Sequence, residues 1–347
     1  MRRPGEASAR RKPYTENCKS KTDSIMNKKL LAFSALLLSG HTLVMAQSWE
    51  QVKPKNECEK RHENAAALVG DSLYAIGGRG MKPLEALNLK TLMWKRLPVA
   101  PVEMNHFQAI NYKGEIYVMG AFEGKYPHET PIPNIYIYSP KTGNWRKGPE
   151  IPKAIQRGSA GVVVYNDKIY MVCGITDGHF DGHVSRLDEY DPKTNTWKQL
   201  ADAPRSRDHI SAAVVGTKMY LAGGRRSSAK TGHVIDTTMP EVDVYDFKTG
   251  KWETLPSESN FPTLRAGSTA VTKDNKVWVI GGESEQLLSH NEAEVLDPKT
   301  NRWTSGPKLH EGRHGTQAVV YKNSIYILAG SANHGGGPEL NTVEVLK

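Results

Sequence analysis

Arginine recurs in this chain at one fixed position relative to a later aromatic residue. It stands thirteen residues before a Tyr or Trp in five segments, and Met104 takes that place in a sixth segment. The five residues are Arg61, Arg157, Arg207, Arg265 and Arg313. Converging guanidinium groups would bind a carboxylated or sulfated sugar through paired hydrogen bonds. A repeated arginine can also brace the unit in which it repeats, and this is the interpretation we favour.

Histidine follows the arginine position by one or two residues, but only in some segments. His106, His209 and His314 are placed in this way, and His62 and Glu63 have the same spacing. A residue that breaks a repeat indicates function better than one that obeys it. We therefore add these three histidines to the five arginines as candidate ligand-binding residues, with a packed or solvated side chain as the alternative for each.

Residues 177–183, of sequence DGHFDGH, alternate acidic and imidazole side chains. Together with His128 and Glu129 they have the ligand types of a divalent cation site. Asp-Gly pairs are also ordinary turn sequences. We expect no metal or other cofactor, and the weak candidates for a metal are Asp177, His179, Asp181 and His183.

Six copies of one unit must position these residues. Each copy has a short apolar run that ends in small residues, at 73–78, 116–120, 169–174, 219–224, 277–282 and 325–330. A second apolar run and a tight polar turn precede each one. Apolar runs of this length between turns indicate strands buried on both faces.

A second hairpin follows in each unit, as in residues 190–197. Pro140, Pro192 and Pro298 suit the first turn position. A positive φ is expected three residues later, at Gly143, Asn195, Gly250 and Asn301, and Leu92 is the departure in the first unit.

Tryptophan opens the outermost strand of each unit, at Trp49, Trp94, Trp145, Trp197, Trp252 and Trp303. Trp49 precedes the first unit, whereas the last unit has no such strand after residues 343–347. Residues 48–52 must therefore complete the last unit. The prediction is an all-β, six-bladed β-propeller with four antiparallel strands per blade, closed by its N-terminal strand.

Paired glycines at a strand end, a Tyr four residues before the second glycine and a Trp after a turn resemble kelch repeats. The copies with Gly120-Ala121, Cys173-Gly174 or Ala329-Gly330, and the copy with Trp278, depart from this pattern in one residue each. The resemblance implies a propeller that binds a ligand or partner. It also implies two enzymatic alternatives within the kelch fold.

The first alternative is a carbohydrate-active enzyme similar to the exported bacterial kelch mutarotases of sialic acid, that is, an N-acetylneuraminate epimerase. In that case Glu63 or His209 would act as acid or base beside Arg207 or Arg265. The second is copper chemistry resembling that of galactose oxidase, which uses seven blades and a crosslinked Tyr and Cys. The six units of this chain fit the second alternative less well.

The first 46 residues have the order of a secretory leader. They hold nine of the 46 basic and three of the 37 acidic residues, which leaves 37 basic and 34 acidic residues in the body. We expect an unfolded extension at 1–25, a signal peptide at 26–46 and the propeller at 47–347. The mature protein would be exported, periplasmic or secreted, monomeric and without a membrane span, and its near balance of charge argues against nucleic acid as a partner.

Long individual connections follow the second strand of five units, at 122–133, 175–186, 225–240, 283–291 and 331–341. All of them emerge on one face, because successive strands alternate in direction. Long loops on a rigid scaffold are the usual place for binding groups. We therefore predict a non-catalytic module that recognises a glycan, possibly an acidic sugar, or a protein through this face. Cys58 and Cys173 lie in units that are not adjacent, so free thiols are expected.

Overall fold

The computed structural model describes residues 47–347. The expected extension at 1–25 and signal peptide at 26–46 lie outside the described residues. Within 47–347, no helix is both long and apolar enough to cross a membrane.

Six four-stranded antiparallel sheets form the blades of a closed propeller, as predicted. The N-terminal strand is β1 (Trp49–Gln51), and blade 1 holds β2 (Asn64–Val69), β3 (Ser72–Gly77), β4 (Pro83–Asn88) and β5 (Met93–Val99). Blades 2 and 3 hold β6 (Ile110–Tyr112), β7 (Glu115–Val118), β10 (Asn134–Ser139) and β11 (Asn144–Glu150), then β12 (Gly161–Tyr165), β13 (Lys168–Val172), β16 (Leu187–Asp191) and β17 (Thr196–Gln199). Two further hairpins extend their loops, β8 (Phe122–Lys125) with β9 (His128–Pro131) and β14 (Ile175–Asp177) with β15 (Asp181–His183).

The remaining blades repeat the same order. Blade 4 holds β18 (Ala212–Val215), β19 (Lys218–Leu221), β20 (Asp243–Asp246) and β21 (Lys251–Thr254), and blade 5 holds β22 (Thr269–Lys273), β23 (Lys276–Ile280), β24 (Ala293–Asp297) and β25 (Arg302–Ser305). Blade 6 holds β26 (Ala318–Tyr321), β27 (Ser324–Leu328) and β28 (Val343–Leu346). Two single-turn 3₁₀ helices, Lys153–Ile155 and Ser257–Ser259, lie between blades.

The hydrophobic core is divided into six clusters, each of which joins two neighbouring blades. The cluster between blades 2 and 3, for example, packs Met119 and Ile135 against Val162 and Met171. Strands buried on both faces explain the apolar runs of the sequence, because each blade is covered by its neighbours. The stacking fixes where each loop leaves the ring.

Strand β1 closes the ring as predicted, by pairing antiparallel with β28. Trp49 lies opposite Leu346 and Gln51 opposite Glu344. The Trp49 side chain is 2% exposed, and its indole N–H donates to the carbonyl of Pro307 at 2.9 Å. Without β1, the outer edge of β28 in the last blade would be unpaired.

The turn predictions are confirmed at four positions with positive φ, Gly143, Asn195, Gly250 and Asn301. Leu92 adopts the same left-handed conformation, with φ of 56°, despite its Cβ. Cys58 and Cys173 are both free and buried, as expected. The two hairpins of the long loops were not predicted.

Candidate functional site

The five repeated arginines do not face the channel mouth, contrary to the possibility that they form a ring of ligand donors there. Each is at most 2% exposed and pairs with a carboxylate on the third strand of its own blade. The pairs are Arg61–Glu85, Arg157–Asp188, Arg207–Asp243, Arg265–Glu294 and Arg313–Glu344, at 2.5–2.9 Å. These guanidinium groups also donate to backbone carbonyls, so they connect the loop before the first strand to the sheet.

Blade 2 shows that this arginine and its acid form one unit. Met104 replaces the arginine there, and Tyr136 stands where the other blades have the carboxylate, so an ion pair is replaced by an apolar contact in one cluster. The arginine and its acid are expected to be replaced together, because either charge alone would be strongly destabilising in the interior. The paired change is visible in the aligned repeats.

A hoop of six residues surrounds the top of the central channel, two positions after the arginine in each unit. All six have φ between 49° and 61°, at Glu63, His106, Ser159, His209, Gly267 and Gly315. Backbone N–H groups within the hoop donate from one blade to the next, as from Ser159 to His106 and from Gly315 to Gly267. The left-handed backbone turns the side chains at this position toward the axis, which is why Glu63, His106 and His209 meet there.

A cavity of about 850 Å³ opens above the hoop on the face that carries the long loops. Its walls include His62, Arg79, Tyr126, Arg225 and Glu283, and its floor includes Glu63 and His179. A volume of this size suits a small organic ligand. Below the hoop, Gln108 bridges the innermost strands of blades 3 and 4 and Gln317 those of blades 1 and 2, so two amide side chains cross the channel.

The floor of the cavity is a buried network of carboxylates and imidazoles. Glu63 lies 3.2 Å from Nε2 of His106 and 3.5 Å from Nε2 of His314. His314 is also 3.3 Å from Glu283, which accepts from Arg225 at 2.6 Å. The third predicted histidine, His209, lies on the other side of His106, with ring centroids 5.0 Å apart.

His179 reaches this network from the tip of the hairpin β14–β15. Its Nε2 lies 3.0 Å from Nε2 of His209, and its ring centroid is 4.9 Å from that of His106. The three rings present one nitrogen each within 4.8 Å of one another. They are therefore the described residues best placed to hold a metal ion.

The other members of the string 177–183 do not join His179. Asp177 contacts His128 at 3.0 Å, and Asp181 contacts Lys230 at 2.8 Å. His183 pairs with Ile175 across the hairpin through its backbone. Asp177, Asp181 and His183 lie in the two strands of the hairpin, whereas His179 lies in its turn, and these four candidates do not converge on one point.

The buried network sets opposite proton affinities on neighbouring groups. Burial lowers the pKa of His106 well below its usual value and lowers that of His209 as well. Burial opposes a charge on Glu283, but His314 and Arg225 outweigh it and lower the pKa of Glu283 to about 2. Burial also opposes a charge on His314, but Glu283 and Glu63 outweigh it and raise the pKa of His314. The floor thus has neutral imidazoles on one side and an ionised cluster on the other.

Sequence reasoning missed Arg79, Arg225 and Glu283, although a signal for them exists. All three directly follow the second small residue at the end of the second strand, where the other units have Phe122, Ile175 and Ser331. This position holds five different residue types in the six units, and in three units it lines the cavity wall. Aligning the repeats by this position would have indicated it.

The fold and the cavity together define a kelch-type six-bladed β-propeller with a candidate binding site on its long-loop face. A family model described as the Attractin/LZTR1 β-propeller matches residues 41–292. The chain belongs to this family.

Several known proteins are similar to it in sequence. Kelch-like protein terF of Aspergillus terreus is 29% identical over 78% of this chain and 61% of its own length. Beta-scruin of Limulus polyphemus is 26% identical over 70% of this chain and 26% of its own length. Kelch-like protein 38 of Rattus norvegicus is 21% identical over 79% of this chain and 45% of its own length. The chain thus spans less than two thirds of these relatives.

The solved structure of YjhT superimposes with a TM-score of 0.70 at 17% sequence identity. The match covers 84% of this chain and 95% of YjhT. At this identity the similarity establishes the fold.

Proposed function

We propose that this propeller is a binding module that recognises a glycan in the cavity of its long-loop face. The cavity of about 850 Å³ is the observation that carries this proposal. A concave site of this volume encloses a mono- to trisaccharide, whereas a folded protein partner prefers a flatter surface.

The walls have the chemistry that a sugar requires. Tyr126 is 58% exposed at the cavity rim, and an exposed aromatic face packs against the C–H groups of a pyranose ring. Arg79 and Lys125 supply donors, and Glu103 supplies an acceptor. Lys125 has no acidic side chain within 4.0 Å among residues 47–347, so an acidic sugar would gain an ion pair there.

Isothermal titration calorimetry with sugars selected on a glycan array tests this proposal. Tyr126→Ala is expected to weaken binding about tenfold, through lost stacking. Lys125→Met is expected to weaken the binding of acidic sugars and to leave neutral ones unchanged. Met93→Ala is the control, because Met93 is 44% exposed at the start of β5, next to the turn on the opposite face.

If the glycan array shows no binding and no sugar changes the melting temperature of the protein, glycan binding is contradicted. A protein partner would then be the better assignment for the same face. Its exposed apolar side chains Met81, Leu287 and Leu288, at 57%, 65% and 64%, would be the first positions to substitute.

Sugar mutarotation is a second candidate, favoured by the buried pair of Glu63 and His314, of which Glu63 lines the cavity. A carboxylate beside an imidazole can exchange a proton with the ring oxygen or the anomeric hydroxyl of a bound sugar. Arg207 and Arg265 are bound inside their sheets and would not grip the substrate, whereas Arg79, whose side chain is 26% exposed in the cavity wall, would be able to do so. NMR of anomer exchange in N-acetylneuraminate, with Glu63→Gln as the inactive variant, tests this; no acceleration by the wild-type chain would exclude it.

We also propose export of the chain, on the order of the residues at 26–46. N-terminal sequencing of the expressed full-length chain is expected to give Gln47 as the first residue. An intact start at Met1 or Met26 would contradict cleavage.

A further inference from the structure

We propose that His106, His179 and His209 form a binding site for one divalent transition-metal ion at the floor of the cavity. Three different elements bring these imidazoles together, namely the hoop segments of blades 2 and 4 and the tip of hairpin β14–β15. All three residues are buried, at 5–6% exposure. The proposal concerns a site beyond the glycan-binding function and is independent of it.

Each of the three rings has an acceptor on its Nδ1 atom. Nδ1 of His209 lies 2.5 Å from Asp208, Nδ1 of His106 lies 2.7 Å from Oδ1 of Asn105, and Nδ1 of His179 lies 3.0 Å from Glu129. Each Nδ1 therefore carries the proton and donates it. In this tautomer the Nε2 atom keeps its lone pair, which is the arrangement of histidines that ligate metals.

These lone pairs belong to atoms that lie within 4.8 Å of one another. Nε2 of His209 is 3.0 Å from Nε2 of His179, a distance at which two acceptors repel unless a cation lies between them. Nε2 of His106 is buried without a hydrogen-bond partner, and the carboxylate of Glu63 lies 3.2 Å from it. A cation placed among these atoms satisfies all of them at once.

The spacing suits a first-row metal. Zn–N bonds of about 2.0–2.1 Å at tetrahedral angles place ligand nitrogens about 3.3 Å apart. The pair of His179 and His209 is close to this value, and the third ring requires a small rotation, since the ligand atoms span up to 4.8 Å. Three imidazoles favour Zn²⁺, Co²⁺, Ni²⁺ or Cu²⁺ over Mg²⁺ or Ca²⁺. Glu63 is the anion next to the fourth position, which opens toward the cavity.

The charges around the site are compatible with a cation. Arg79 and Arg225, the nearest buried or half-buried arginines, are each paired with an acid, Glu129 and Glu283 respectively. Apart from these two pairs, Asp208 and Glu63 also lie beside the three rings, so the acids around the site outnumber the arginines. Such acids behind or beside the ligands also hold the rings in position.

Titration of the chelator-treated full-length chain, without a histidine tag, with ZnCl₂ and CoCl₂ in the absence of sugar tests the site. Metal analysis after gel filtration is expected to give one ion per chain, with visible Co²⁺ absorption of a four- or five-coordinate site. His106→Gln and His209→Gln are each expected to weaken Zn²⁺ affinity by more than about 100-fold. His233→Gln is the matched control, because His233 contacts Asp236 on an exposed loop of the same face.

Three outcomes would overturn the proposal. They are less than stoichiometric Zn²⁺ and Co²⁺ on the wild-type chain, full retention of binding in both cluster variants, or loss of binding in His233→Gln alone. Should a cluster variant fail to fold by circular dichroism, the Co²⁺ spectrum of the wild-type chain decides, since a spectrum of aqueous Co²⁺ contradicts imidazole ligation. Sugar binding can succeed or fail separately in each case.

Discussion

At the scale of single residues, Glu283 makes the free energy of unfolding depend on pH. Its pKa is lowered from 4.5 to about 2, because His314 and Arg225 outweigh the cost of burial. A carboxylate with a depressed pKa in the folded state stabilises the fold above its unfolded pKa, and this contribution disappears as pH falls through the folded value. The size of the shift corresponds to about 3 kcal/mol at pH 7.

We therefore expect Glu283→Gln to lower the free energy of unfolding by about 3 kcal/mol at pH 7 and by less than half as much at pH 3. Urea denaturation at pH 7, 5, 4 and 3 measures the difference between wild type and variant. Glu150→Gln, at an exposed carboxylate, is the control and should stay within about 0.5 kcal/mol of wild type at every pH. A pH-independent difference for Glu283→Gln would contradict the assigned ionisation.

The buried ion pairs lead to a second residue-scale prediction. Arg265→Met leaves Glu294 charged and buried without its guanidinium partner, so we expect a loss of about 3–5 kcal/mol in urea denaturation. The double variant Arg265→Met, Glu294→Tyr copies the residues of blade 2, Met104 and Tyr136, and should regain part of this loss.

The control for this experiment is the exposed pair Arg146–Glu115. Replacing Arg146 by Met should cost less than about 1 kcal/mol, because solvent screens an exposed ion pair. A double variant no more stable than Arg265→Met alone would show that the blade 2 contact does not transfer.

At the scale of elements, strand β1 carries the closure of the ring. Trp49→Ala removes a fully buried indole between blades 5 and 6 and is expected to lower the melting temperature by about 10 °C. Glu50→Ala, in the same strand but exposed, should leave it nearly unchanged. Thermal unfolding followed by circular dichroism compares the two, and equal melting of Trp49→Ala and wild type would contradict a structural role for β1.

The elements also show what the sequence could and could not predict. The blades, the positive-φ turns and the closure by β1 could be predicted from the repeats, because the same backbone pattern occurs in six units. The hairpins β8–β9 and β14–β15 occur once each, so no repeat identified them. The sequence also did not show where the arginine side chains point. A residue with a left-handed backbone, two positions later, determines which side chains face the channel.

At the scale of the whole molecule, the two ends of the propeller lie side by side. A circular permutant that joins Lys347 to Ser48 through a short Gly-Ser linker and opens between Lys193 and Thr194 is expected to fold with a nearly unchanged melting temperature. The new ends would lie in an exposed turn of blade 3, where a chain break is tolerated.

A second permutant, opened inside the buried strand β13 between Tyr170 and Met171, is the matched control and should fail to fold. Circular dichroism and gel filtration compare the two proteins. If the permutant opened in the turn aggregates, the expectation that the propeller folds wherever its chain ends lie is contradicted.

The pairing of β1 with β28 has a consequence for biosynthesis. Glu50 and its ion-pair partner Lys347 are separated by 297 residues. At about 5–20 residues per second, the ribosome completes β28 roughly 15–60 seconds after β1 has been made. During that interval β1 has no partner strand and Trp49 is not covered, so this segment would be open to chaperones until β28 has been made.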